Sequence, residues 1–240
     1  MLNTSHAEGV TTLTLARPER GNALGPDLVE ALLAAVQGAC ADDSVHTLVL
    51  RGEGRHLCTG LDLSDLDLCR DGDLLHRLVR IETLLSALWH APLRTVAVAQ
   101  GRTWGAGADL FAACEVRLAQ ADATFRFPGA QFGIVLGTRR LAERVGADAA
   151  RAMTTGGGEW RAAQAQAAGL VQQAIDDGTS ANDLLATACL APAVSPSTAA
   201  ALRAASRTDL RDADLAALVR SAAQPGLVDR IRTYRARLRG

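Results

Sequence analysis

A β-branched apolar run, Thr95 to Ala99, feeds into three glycines, Gly101, Gly105 and Gly107, from which a small-residue helix carrying Asp109 sets out. A buried strand, a turn that only flexible backbone can make, and an immediate helix commit this stretch to an α/β arrangement. The turn leaves free backbone N–H groups at a helix N-terminus, where they stabilise negative charge. Asp109, one turn beyond Ala106 on the same face, could move a proton beside that charge. A second segment repeats the grammar. Thr47 to Arg51 reads as a buried strand, and Gly52 to Leu63 reads as a glycine-punctuated turn opening into a helix. Two such units suggest a two-pronged oxyanion hole, although either one alone matches an ordinary strand-to-helix loop.

Bulk properties narrow the field. With 240 residues, 48% hydrophobic and 21% charged, the chain can build one large domain or a domain with an appendage. A net charge of -1 offers no footing for nucleic acid or a membrane surface. Every basic residue is Arg and no Lys occurs, which excludes Schiff-base chemistry and the lysine of a phosphate-binding P-loop. Any phosphate must be held by Arg or by backbone. The cysteines (Cys40, Cys58, Cys69, Cys114, Cys189) are odd in number and lack metal-site spacing, so reduced core thiols and no metal are expected. No leader-like or membrane-length apolar run is evident, and a cytoplasmic location is the expectation.

Along the chain, strands are expected at Val10 to Leu15, Thr47 to Arg51, Thr95 to Ala99, Val116 to Ala119, Thr124 to Phe127 and Leu170 to Ile175. Helices are expected from Pro26 through Val36, from about Leu74 to Trp89, and at Ala106 to Ala113, Arg139 to Val145, Ala147 to Thr154 and Ala162 to Ala168. Strand-helix alternation implies a parallel sheet. Beyond Gly178 the chain is Ala-rich and broken by Pro192, Pro196 and Pro225, which reads as an all-helical appendage. Helices so poor in aromatics bury little area, so docking against another subunit is expected, the alternative being that they fold back on their own core.

Several ordered motifs resemble the enoyl-CoA hydratase/isomerase (crotonase) superfamily over nearly the whole chain. Leu15-Ala-Arg-Pro-Glu-Arg-Gly-Asn-Ala-Leu24 is similar to its RPxxxNAL segment, His56 to Leu63 to FxAGxDL, and Gln100 to Leu110 to NGxxxGGGxEL. Val145-Gly146, Thr155-Gly156 and Ala163 to Val171 resemble the downstream VG, TG and GLV pattern. The resemblance implies an α/β fold: a spiral core of repeated β-β-α units over residues 1–178, holding an acyl-CoA site, with a C-terminal helical trimerisation region over residues 179–240. It implies a coenzyme A thioester as substrate, no separate cofactor, and a homotrimer or homohexamer. The two thioester-oxygen donors fall on the N–H groups of Leu61 and Ala106, each worth about 2.7–4 kcal/mol to an enolate. Coenzyme A would lie along Ala23, Leu24, Gly60, Asp62 and Leu63, with Trp104, Gly105, Pro128 and Gly129 near the acyl group. The final helix resembles the family's closing segment, so Tyr234 and Arg237 would reach a neighbour's coenzyme A, or else form a basic solvated terminus.

Departures from the pattern bear on the reaction. The family's first glutamate falls on Asp109, one methylene shorter; its alternative reading is a first-turn acid that complements the helix dipole. The second glutamate falls on Gly129 of Phe125-Arg-Phe-Pro-Gly129, with no carboxylate nearby to replace it. Losing one general acid/base costs about 10²–10⁴-fold, so two-glutamate hydration is disfavoured, while proton shuttling by Asp109 alone remains open. Glu82 and His76 read as solvated or interface residues. Cys58, beside His56, reads as packed core. Arg126 reads as a surface arginine that could instead bind an acidic acyl group. The leading expectation is enolate chemistry with Asp109 as sole acid/base. The alternatives are acyl-CoA hydrolysis or decarboxylation on the same site, and a binding subunit that kept the hole but lost the chemistry.

Overall fold

The computed structural model describes residues 1–175 and 181–237. β1 (Leu2–Ala7) and β2 (Val10–Leu15) form a hairpin, followed by α1 (Pro26–Ala41), β3 (Thr47–Gly52), α2 (Asp71–Trp89), β4 (Arg94–Ala99) and β5 (Arg102–Trp104). α3 (Ala106–Ala113), β6 (Val116–Gln120), β7 (Thr124–Arg126), α4 (Thr138–Val145), α5 (Ala147–Gly156), β8 (Trp160–Arg161), α6 (Ala162–Ala167) and β9 (Gln173–Ile175) complete the core. Four further helices follow: α7 (Ala181–Ala188), α8 (Pro196–Ala205), α9 (Arg211–Ala222) and α10 (Leu227–Arg237).

The main sheet has the order β1-β2-β3-β4-β6-β9, antiparallel at β1-β2 and parallel thereafter. Its central strand β3 is buried at Thr47, Leu48, Val49 and Leu50, as expected of a strand covered on both faces. Leu48 and Leu50 join a large core with Leu28, Leu32 and Val36 of α1 and Ile81, Leu84 and Leu85 of α2. Val49, on the opposite pleat, packs with Val96, Leu118 and Ile175 against Leu184 and Leu185 of α7. The β-β-α units thus wind as the crotonase resemblance implies.

Three sequence expectations need correction. β1 was not anticipated; its side chains are mostly exposed, so it carries little hydrophobic signal. Gly101 to Trp104 reads as turn, yet Arg102–Trp104 forms β5 of a second sheet, β5-β7-β8, because partners distant in sequence satisfy its backbone. The first glycine turn does not open into a helix either. A single 3-10 turn at Leu66–Leu68 intervenes, and α2 starts only at Asp71.

The C-terminal helices fold back on their own chain. Leu218 and Ala222 of α9 and Leu227, Val228 and Ile231 of α10 build a second apolar cluster with Leu66, Leu74, Leu78 and Ile134. Asp71, the first residue of α2, accepts from the N–H groups of Gly226 (2.8 Å) and Val228 (2.9 Å) and so holds the start of α10. The division expected between residues 178 and 179 lies outside the described residues.

Candidate active site

Two turns lie side by side. Leu24 forms a parallel bridge with Leu61: its N–H donates to Gly60 O (2.8 Å) and its C=O accepts from Asp62 N–H (3.1 Å). Because Leu24 bonds to the residues on either side of Leu61, the N–H of Leu61 itself points away from Leu24. The opposite edge of the same segment pairs with β5, through the Cys58–Thr103 bridge and Trp104 N–H to Cys58 O (3.0 Å). Leu61 N–H is therefore free of the pairing with Leu24.

Glycine makes this approach possible. A Cβ on Gly60 would sit 2.9 Å from Trp104 O and 3.4 Å from Ala106 N, and one on Gly107 would sit 2.2 Å from Cys58 O. Gly105 occupies φ 53°, which L side chains rarely adopt, and its N–H donates to Arg126 O (2.7 Å). Its carbonyl accepts from Ala108 and Asp109, which starts α3 and leaves Ala106 N–H as an unclaimed helix-terminal donor. Ala106 has no positive φ, so a side chain is tolerated there. The first turn thus lies against the N-terminus of α3 at Gly60.

Asn22 locks the first turn in place. Its amide donates to Glu53 O (3.0 Å) and His56 O (2.8 Å), and its Oδ1 accepts from Arg17 N–H (2.9 Å). Arg17 in turn donates to Ala23 O (3.2 Å) and pairs with Asp62 (3.1 Å). Burial works against ionisation of Asp62, but the Ser64 and Arg17 hydrogen bonds prevail and hold its carboxyl below the usual range.

Asp109 stands one turn into α3, 5% exposed, and its Oδ1 is buried with no hydrogen-bond partner. Oδ1 faces Gly137, where a Cβ would come within 2.3 Å; Gly137 caps the start of α4 at φ 63°. Burial pushes the Asp109 carboxyl well above the ordinary carboxylate range, against the pull of Arg140 and with some push from Glu82. Burial thus favours the protonated form of this carboxyl.

The structure revises several other expectations. Glu82 is not solvated: it is 2% exposed and grips Arg140 in a two-pronged ion pair at 2.5 and 3.0 Å. It lies four residues after Leu78 and three before Leu85, on the buried stripe of α2, and that spacing was the signal available in the sequence. His76 is exposed. The Cys58 thiol is fully buried and pushed up to about 12 by that burial, which suits packing and not nucleophilic attack. His56 accepts from Arg102 N–H (3.0 Å) through Nδ1; its burial and the nearby Arg102 and Arg55 lower its proton affinity. Arg126 is committed elsewhere, donating to Gly157 O (2.8 Å) and lying over Trp104 (5.8 Å to the ring centroid). Trp104 itself donates to Thr124 Oγ1 (3.0 Å) beneath Arg102.

Pro128 packs near Gly105, and Gly129 follows it in a 3-10 turn, Pro128–Phe132. A Cβ on Gly129 would meet nothing nearer than Ile134 O at 3.6 Å, so a side chain has room. Leu63 packs against the second apolar cluster and accepts from Arg235 (3.1 Å) of α10. Tyr234 lies 5.3 Å from Phe132 of the same chain, and Arg237 is exposed. Among the described residues no group of three or more His, Cys, Asp or Glu could hold a metal ion.

Comparison with known proteins places this geometry. Residues 5–224 match the family model described as enoyl-CoA hydratase/isomerase. A Bordetella parapertussis protein assigned to the enoyl-CoA hydratase/isomerases superposes with a TM-score of 0.94 at 44% identity, covering 98% of both chains. The Mycobacterium leprae relative named for enoyl-CoA hydratase echA6 is 38% identical over 64% of this chain, and the match spans only 62% of that protein's length. The Mycobacterium tuberculosis relative named for echA14 is 34% identical over 76% of this chain and 73% of its own. The chain belongs to the enoyl-CoA hydratase/isomerase (crotonase) superfamily.

Proposed function

We propose that the protein acts on an acyl-CoA thioester, whose carbonyl oxygen is held by the N–H groups of Leu61 and Ala106 while Asp109 moves a proton. The observation that supports this reading is the close approach of the two turns, which leaves Leu61 N–H unused by Leu24 and sets Gly60 against the N-terminus of α3. Two fixed donors favour a thioester enolate over the neutral carbonyl, because they meet the charge as it develops. A buried carboxyl with raised proton affinity suits transfer to and from carbon.

With glycine at 129, a second carboxylate to activate water is missing, so double-bond isomerisation is favoured over hydration. In that reaction Asp109, once ionised, takes a C2 proton from a 3-enoyl-CoA, and the electrons pass to the thioester oxygen. The returning proton is delivered to C4, the double bond moves to C2–C3, and the carboxylate is regenerated. Coenzyme A would lie along Ala23, Leu24, Gly60, Asp62 and Leu63, beside the cleft of about 380 Å³ that opens past Leu24 between α1 and α2. The side chains of Trp104 and Pro128 and the backbone of Gly129 would bound the reacting end. Oligomerisation belongs to the same reading: of the exposed large apolar residues, Leu190, Val194, Leu202 and Leu215 cluster in the C-terminal helical region, as a trimer or hexamer contact would require. In such an assembly Tyr234 and Arg237 would approach a neighbouring coenzyme A.

The test is direct. Wild-type protein should convert a 3-enoyl-CoA to its 2-enoyl isomer, Asp109→Asn should lose about 10²-fold or more, and Gly129→Glu should gain hydration of a 2-enoyl-CoA. Unchanged isomerisation by Asp109→Asn would remove Asp109 from the reaction. Tight thioester binding with no turnover over a broad panel would favour the second reading, a binding subunit, for which Gly129 and the closed, unpartnered Asp109 speak. Turnover of a dicarboxylic acyl-CoA, but not of a simple enoyl-CoA, would favour the hydrolysis or decarboxylation reading, for which Arg126 beside Trp104 is the support.

A further inference from the structure

Behind Asp109 lies a circuit of buried charge that joins three helices. Both terminal nitrogens of Arg140, on α4, are taken by Glu82 of α2, and Asp214 of α9 stands 3.7 Å from Nη2. Asp214 also pairs with Arg139 at 2.7 Å. The Nε of Arg140 is buried without a partner, as is Oδ1 of Asp109. Arg140 follows by three residues Gly137, the cap of α4 that faces Asp109 Oδ1, and so stands in the first turn of the helix that abuts the acid. From the elements packed on α3, the charged groups that act on Asp109 are Arg140 and Glu82. Arg102 of β5 lies over Trp104, and Arg94 of β4 donates to the carbonyls of Ala188 and Leu190, so neither serves this site.

We propose that Arg140 and Glu82 are positioning residues for Asp109, the buried two-pronged pair compensating the guanidinium on the helix whose capping Gly137 faces Asp109 Oδ1. An uncompensated cation near a carboxyl in a dry setting favours its ionised form. A cation locked in a two-pronged pair presents mostly a dipole, and burial of Asp109 then dominates. That ordering matches the causes acting on Asp109: burial first, then Arg140 pulling down, then Glu82 pushing up. This assignment rests on the acid/base reading of Asp109.

The experiment titrates the Asp109 carboxyl by carbon NMR on aspartate-labelled full-length protein and records kcat/KM against pH for the same samples. Glu82→Gln keeps the shape and leaves Arg140 uncompensated; the Asp109 midpoint should fall by about one pH unit or more, and the acidic limb of the rate profile with it. The double variant Glu82→Gln/Arg140→Met removes the cation too, so its midpoint should return to or exceed the wild-type value. If Glu82→Gln does not fold, Arg140→Met carries the test, since an uncompensated Glu82 should raise the Asp109 midpoint above that of wild type. A merely structural pair would lower melting temperature and leave the midpoints alone, so a folded single variant whose Asp109 midpoint coincides with wild type overturns the assignment. The NMR readout does not depend on turnover. Shifted midpoints together with an active Asp109→Asn would sink the acid/base reading and leave the charge assignment standing; coincident midpoints with an inactive Asp109→Asn would do the reverse.

Discussion

Replacing Asp109 by Asn should stabilise the protein, and by more as pH rises. Asp109 Oδ1 is buried without a hydrogen bond, and burial raises the proton affinity of the carboxyl well above its unfolded value. A group whose folded pKa is raised contributes its stability in full below the unfolded pKa and loses it as pH climbs toward the folded one, because the folded state binds the extra proton. Below pH about 4 both states of the wild type are protonated, and the variant should differ only by a constant offset. Above that, wild-type stability falls relative to Asn at about 1.4 kcal/mol per pH unit, until the folded carboxyl ionises. For a chain of this length 1 kcal/mol corresponds to about 2–4 °C, so the gap in melting temperature should widen by about 3–6 °C per pH unit. Thermal melts of both proteins at matched ionic strength from pH 4 to 8 give the difference directly, and titrations elsewhere in the molecule cancel. A gap that stays flat over this range, or narrows as pH rises, would refute the reasoning; the second result would mean that Arg140 wins over burial.

Gly107→Ala should lower stability by about 1–3 kcal/mol or more in urea unfolding and weaken thioester binding, since the added Cβ would stand 2.2 Å from Cys58 O and must push the two turns apart. Full stability with intact binding would show that the turns can separate at no cost. Sedimentation of the purified chain should give the mass of a trimer or hexamer, because the C-terminal helices leave Leu190 and Leu202 largely exposed; a monomer at micromolar concentration would contradict this.

The sequence carried most of the elements because their signals are local. The β-branched run of β4, the apolar periodicity of α1 and α2, and the glycines at 101, 105 and 107 each report backbone geometry from neighbouring residues. The family resemblance likewise points to Leu61, Ala106 and Asp109 as site residues and to the glycine at 129 as the departure from the pattern. Where signals were not local, the reading failed. β5 looks like a turn because its partner strand begins some twenty residues later, and the helix expected after Gly60 is displaced by pairing with Leu24.

What the sequence by itself determined, then, is the order of strands, turns and helices, the two glycine-rich turns, and the single carboxylate left among the expected pair. Only the tertiary structure decided that Leu61 N–H is left unused by Leu24, that Glu82 is a buried partner of Arg140, and that Asp109 is buried with Oδ1 unpartnered. The reason is physical. Backbone conformation follows from adjacent residues, whereas burial and charge pairing arise from groups as far apart as the 58 residues between Glu82 and Arg140, and those meet only when the chain has folded.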